Sequence, residues 1–234
     1  MNELEKKILG KIHIPTIEEL ALKHYDILKV IKSMKKIGLV RDDGLVSRCV
    51  NPDGSGGDMK VYSDDNALWG ILLNAVGRKD ESIQVVESMK NLGNLVRDDG
   101  LVSRCVNPDG SGGDMKVYSG CNALWGMLLN AVDKKDEARK VVKSMKKRGL
   151  VRFGGLVNLY VKPDGSDRNR ALYSYSNALW GMLLNAVGYR NKARKVVKSM
   201  MNKGSMINKS LVRYDWLVGR YVDFHRHYCD MNIY

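Results

Sequence analysis

The chain has 234 residues, 44% of them hydrophobic, and a formal net charge of +13. That is enough apolar material for a packed core in one large domain or two small ones, and no apolar run approaches the ~18 residues that cross a bilayer. The N-terminal MNELEKKILGKIHIP lacks a long apolar stretch before a small-residue cleavage site, and the four cysteines are widely spaced, with Cys49 and Cys105 as copies of one position. These features argue against a membrane protein or a secreted disulfide scaffold and for a cytoplasmic protein with reduced thiols.

Residues 1–38 read as an N-terminal helical cap, with TIEELALKHYDILKVIKSMKK, from Thr16, as a possible extra helical hairpin. Three repeats follow, over 39–93, 94–149 and 150–204, and a partial repeat with a tail occupies 205–234. The 24 residues from Val40 to Ser63 recur letter for letter from Val96 to Ser119. The register continues to Val151 and then to Val212. NALWGILLNAV begins at Asn66 and NALWGMLLNAV at Asn122 and Asn177, followed by VVESM at Val85 and VVKSM at Val141 and Val196. VIKSM at Val30 is a partial earlier copy.

Each unit reads as a loop and two helices. The first helix starts near Ser63, Ser119 or Ser174, which suit an N-cap, and is apolar nearly all round, as a fully buried helix must be. The second carries one apolar stripe, Ala138, Val141, Val142 and Met145 in the middle copy, among Lys and Arg. Gly38, Gly93, Gly149 and Gly204 are placed to end the second helices in a left-handed conformation. The loop alternates in GLVSRCV and MKVYS around NPDGSGG, the pattern of a short β-hairpin with a Pro-Asp-Gly turn. The predicted fold is mainly α: helical hairpins repeated in two layers, an α/α toroid or an open arc, with buried helices inside and basic helices outside.

The repeats act as an internal control, since residues needed by the fold recur and residues that make a site break the symmetry. Asp53, Asp109 and Asp164 recur and read as turn formers. Asp64 and Asp65 give way to Gly120 and Cys121, then to Tyr175 and Ser176; Asp42 and Asp43 recur as Asp98 and Asp99 but become Phe153 and Gly154 in the third copy. Tyr160, Tyr175 and Trp216 have no counterpart. In the tail, His225, His227 and Cys229 alternate, so an extended strand would aim them the same way. Imidazole and thiolate together suit a divalent transition metal, with Asp223 or Asp230 to complete the set. The outer helices are strongly basic: Lys134 to Arg148 carries eight basic and two acidic residues. Such a belt either meets the phosphates of a nucleic acid or forms a solvated face.

The stretch DGLVSRCVNPDGSGGDMKVYSDDNALWGILLNAVGRKDESIQVVESM resembles the six-hairpin glycosidase superfamily: a GLV…PDGS loop, a Tyr-Ser pair, DNAL opening an apolar helix, then an amphipathic helix. The resemblance covers most of Val40 to Met200 and implies an α/α toroid whose loops at one end hold a carbohydrate site. A full ring at this period needs roughly 330 residues, so the set of hairpins is incomplete. Glycoside hydrolysis uses two carboxyl groups about 5–9.5 Å apart; the candidates are Asp43, Asp99, Asp65 and Asp215. Tyr160, Tyr175 and Trp216 are candidate sugar contacts, with Trp69 and Trp125 as further aromatic walls unless core packing claims them. A non-enzymatic α-hairpin scaffold and a metal protein using the tail are the competing readings. The unfinished terminal repeats suggest a homodimer.

Overall fold

The structure, a computed structural model, describes residues 17–51, 56–152, 154–165, 168–169, 171–201 and 221–222. Its first helix, α1 (Ile17–Lys36), is one continuous 20-residue helix rather than the hairpin read from the sequence. Ile27, Ile31 and Met34 fall on one face with no breaker between them, and that face joins the core. Three hairpins follow: α2 (Ser63–Ala75) with α3 (Lys79–Asn91), α4 (Ser119–Ala131) with α5 (Lys135–Lys147), and α6 (Ser174–Ala186) with α7 (Arg190–Met201). α2 packs on α4 and α4 on α6, making the inner row, and each outer helix covers its own inner partner.

The inner helices are buried in proportion to their neighbours. Leu124 of α4 is 1% exposed and Leu179 of α6 8%, but Leu68, the same position in α2, is 47% exposed. The apolar-all-round pattern therefore marks full burial only for the middle copy, which has an inner helix on each side. The rows approach closely because a glycine faces each joint. A Cβ at Gly70 would lie 2.7 Å from the Leu128 side chain, and one at Gly126 would lie 2.8 Å from Leu183.

Loops and helix ends account for most differences from the sequence reading. Ser63, Ser119 and Ser174 are the first residues of the inner helices, not their caps; the cap positions are Tyr62, Tyr118 and Tyr173, with no side-chain cap bond. Ser63 and Ser119 instead send their hydroxyls to the backbone carbonyls of Arg104 and Asn158 in the next repeat. Gly38 and Gly149 end outer helices at φ 74° and 71°, but after α3 the left-handed residue is Asn94, at φ 61°, and not Gly93. Asn94 is the extra residue of that copy, and it takes over the turn.

The short strands pair across repeats rather than within one loop. β1 (Val61–Tyr62) pairs antiparallel with β2 (Cys105–Val106), and β3 (Val117–Tyr118) with β4 (Tyr160–Val161). β4 also pairs with β5 (Arg168–Asn169), and β6 (Leu172–Tyr173) with β7 (Tyr221–Val222). Within loops, β4 and β5 form the expected hairpin, and the second loop closes on itself through an antiparallel bridge between Cys105 and Asp114, with the Asn107 amide donating to the Ser111 carbonyl at 2.9 Å. The Pro-Asp-Gly turn forms in the second loop, where Asp109 Oδ1 accepts from the amide and hydroxyl of Ser111.

One asparagine per repeat anchors its loop. Asn122 accepts from the Val102 amide at 2.7 Å and donates to the Val102 and Tyr118 carbonyls. Asn66 does the same for Val46 and Tyr62, and Asn177 for Val157 and Tyr173. The amide side chain substitutes for a neighbouring strand, which buried backbone groups require. Trp69, Trp125 and Trp180 lie in the second turn of the inner helices, buried, each donating from Nε1 to the carbonyl of Gly44, Gly100 or Gly155.

Candidate functional site

The loops and the first turns of the inner helices meet at one end of the array. Position by position, the first turns carry Asp64 and Asp65 on α2, Gly120 and Cys121 on α4, and Tyr175 and Ser176 on α6. Gly120 leaves room beside it: a Cβ there would meet Ser176 Oγ at 3.4 Å and Tyr175 Cε1 at 3.7 Å. Tyr175 thus lies against the start of α4, 58% exposed.

Arg48 binds the acidic pair. Its Nε donates to Asp65 Oδ2 at 2.8 Å, and its Nη2 lies 3.5 Å from Asp64 Oδ1. The guanidinium also stacks 3.4 Å from the centre of the Tyr62 ring, whose hydroxyl donates to Asp58 at 2.8 Å. In the next repeat Arg104 contacts Asp114 at 3.4 Å and lies over Tyr118, which packs on Tyr160 with ring centres 5.1 Å apart. In the third repeat Leu159 replaces this arginine.

Burial and charge tune the groups of this end. Burial, and next the adjacent Asp65, push the Asp64 carboxyl above the usual aspartate range, although Arg48 pulls the other way. Burial and then Asp64 push the Cys121 thiol up to about 12, so it is a protonated, inert group. Burial and then Asp64 also raise the Tyr175 hydroxyl, with smaller contributions from Cys121 and Asp65. Asp64, Asp65, Cys121 and Tyr175 therefore share one electrostatic environment, although they come from three repeats. The arrangement sets a carboxyl biased toward its neutral form beside one paired with arginine, with an exposed aromatic ring at hand. Two carboxyls in unlike surroundings are the starting point for acid–base chemistry.

The other sequence candidates lie elsewhere. Asp43 is bound by Arg41 at 2.9 and 3.2 Å and accepts from the Leu45 amide. Asp99 is bound by Arg148 at 2.7 Å and accepts from the Leu101 amide. Both acids fold the RDDGL turn, one in each of two loops. Trp69 and Trp125 are core residues, which is the packing alternative for them. Tyr160 sits half-buried in β4 against Tyr118. Asp215, Trp216, His225, His227 and Cys229 lie outside the described residues. Among the described residues no group of three or more His, Cys, Asp or Glu is placed to hold a metal. In sequence, Asp230 to Tyr234 (DMNIY) repeats the DMKVY of Asp58 to Tyr62 and Asp114 to Tyr118, which aligns His225 with Asp53, His227 with Ser55 and Cys229 with Gly57.

Sequence reasoning missed Arg48. It recurs as Arg104, so a search for broken symmetry passes over it; its loss at Leu159 was the available signal. A separate cavity of about 240 Å³ lies between the first loop and the first hairpin, lined by Arg41, Asp42, Trp69, Glu81 and Gln84 among others. It includes none of Asp64, Asp65, Cys121 or Tyr175.

No protein-family profile matches the chain, and no curated protein is detectably similar to it in sequence. Solved structures are similar in fold. A D-mannose isomerase matches with a TM-score of 0.69 at 12% identity, over 92% of this chain and 62% of its own. The cellobiose 2-epimerase of Bacillus thermoamylovorans B4167 matches at 0.67 and 10%, over 91% and 61%. The endo-β-1,4-glucanase CMCax of Acetobacter xylinum matches at 0.58 and 11%, over 81% and 60%. The chain has the α/α-toroid fold of the six-hairpin glycosidase-like proteins, and it spans about three-fifths of the length of these structures. No helix among the described residues is long and apolar enough to cross a membrane.

Proposed function

We propose that the loop end of the inner row is a carbohydrate-binding site in which Asp64 and Asp65 are the acidic groups, Arg48 orients them, and Tyr175 is the sugar platform. The observation that carries this reading is the break in repeat symmetry. At two adjacent positions in the first turns of the three inner helices, the chain places Asp64, Gly120 and Tyr175, then Asp65, Cys121 and Ser176, instead of three copies of one residue. Similarity of fold to structures named for work on mannose, cellobiose and β-1,4-glucan supports the ligand class. An exposed tyrosine beside carboxyl groups supplies what a sugar needs, an apolar face to stack on and acceptors for hydroxyls.

Whether chemistry follows binding depends on Asp64. A carboxyl raised above the usual aspartate range is the better placed of the two to deliver a proton, and Asp65 is held by Arg48. A binding scaffold without turnover is favoured by a different observation: Asp65, Asp43 and Asp99 are each already engaged by an arginine. Titration calorimetry with mannose, cellobiose and cello-oligosaccharides, read beside product analysis, tests both. Binding that is lost in Tyr175→Ala and weakened in Asp65→Asn supports the site. Turnover lost in Asp64→Asn with binding retained supports catalysis. Absence of binding to the whole sugar series by the folded wild-type chain overturns the reading.

A further inference from the structure

The outer helices are joined to one another by charges whose repeat register is plain. Between α3 and α5, Lys90 pairs with Glu137 and Lys134 with Glu87, each at 2.8 Å, so two cations and two anions balance. Between α1 and α3, Glu81 takes both Lys35, at 2.8 Å, and Arg78. At the joint of α5 and α7 the same four positions as in the balanced joint are Lys143, Lys146, Tyr189 and Lys192. Three cations stand there and no anion. α7 has no acidic residue at all, and the two acids of α5, Asp136 and Glu137, are held by Arg139 and Lys90.

We propose that the joint of α5 and α7, framed by Lys143, Lys146 and Lys192, binds a multivalent phosphate-type oxyanion. The geometry follows from the repeat. Lys146 stands where Lys35 and Lys90 stand, and Lys192 stands where their glutamate partners stand, so the two ammonium groups converge as an ion pair would. Lys192 is further held with its Nζ 4.2 Å from the centre of the Tyr189 ring. Burial and next the Lys192 ammonium hold Lys146 below the ordinary lysine range, the sign of a like-charge contact that no carboxylate among the described residues offsets. An oxyanion with several charges bridges such a set with one charge-assisted hydrogen bond per lysine, and lysine serves phosphate as a compact point charge. The net charge of the outer helices rises along the array from −1 in α3 to +4 in α5 and +5 in α7, so the field also draws an anion to this joint.

The test uses the full chain and inorganic tripolyphosphate, with sodium chloride at matched ionic strength as reference. Millimolar tripolyphosphate is expected to raise Tm by about 2–4 °C more than chloride does. Lys192→Glu rebuilds the Lys–Glu pair of the other joints; it is expected to remove that response and to raise the Tm measured without polyphosphate. Lys198→Glu makes the same charge change elsewhere on α7 and is expected to keep the response. Oligouridylate that binds and is displaced by tripolyphosphate would identify a phosphodiester chain as the source of the oxyanion; response to tripolyphosphate alone would identify a free phosphorylated ligand. Equal stabilisation by chloride, a response that survives in Lys192→Glu, or an equal loss in Lys198→Glu would overturn the proposal.

Discussion

At the scale of single residues the repeats separate fold from function with little ambiguity. Asn122 is fully buried and serves three backbone groups. Asn122→Ala strands the Val102 amide and carbonyl away from water, and a loss of about 1–3 kcal/mol is expected in urea unfolding. Asp64 gives the opposite sign. Its carboxyl is raised in the folded chain, chiefly by burial and then by Asp65. A raised acid contributes stability below its unfolded pKa, and that contribution is lost as pH rises through the folded value. Asp64→Asn should therefore be more stable than the wild type at neutral pH. The gain should shrink as pH falls below the aspartate range, where Asp64 is itself neutral. Thermal melts of both proteins at pH 7 and near pH 3.5 check this, and equal differences at the two pH values would show that Asp64 is ionised without penalty.

At the scale of elements, glycines of one repeat position face different neighbours. In α4, Gly126→Ala drives a methyl into the Leu183 side chain at 2.8–3.0 Å, and a net loss of about 1–3 kcal/mol is expected from overpacking. In α6 the same substitution at Gly181 meets only Val196, at 3.7 Å, among the described residues. There the helix preference for alanine prevails, and a gain of about 0.5–1 kcal/mol is expected. Paired chemical denaturations read the contrast directly, and loss in both variants would place a neighbour over Gly181. This contrast also marks what could be read in advance. Helix pairs and layers were legible because apolar spacing is a local, repeated signal: NALWG and VVKSM recur with the same faces. Strand partners were not legible. A two-residue strand such as Val61–Tyr62 has no pattern that names its partner, and Val106 of the next loop is reached only because the helices place it there. The candidate site was legible where symmetry broke, at Asp65 and Tyr175, and hidden where it held, at Arg48. Arg48 acts with Asp64 and Asp65 while its copy Arg104 meets Asp114.

For the whole molecule, stability must be graded along the array, because each repeat contributes its own packing plus the interfaces to its neighbours. α4 has an inner helix on both sides and buries ten of its 13 residues, whereas α2 buries six and α6 seven. The outer joints follow a similar gradient, from two balanced ion pairs between α3 and α5 to a cationic joint between α5 and α7. Surface pairs are individually worth about 0–1 kcal/mol, so burial in the inner row sets the order. Amide hydrogen exchange is then expected to be slowest in α4 and faster in α2 and α6, with α6 further loosened by the unbalanced charge behind it. Mass spectrometry of peptides covering 63–75, 119–131 and 174–186 reads the three helices separately. Uniform protection would show that the array unfolds as one unit and that its ends are as firmly held as its centre. Graded protection would put Asp64 and Tyr175, the outer members of the candidate site, on the elements that open first.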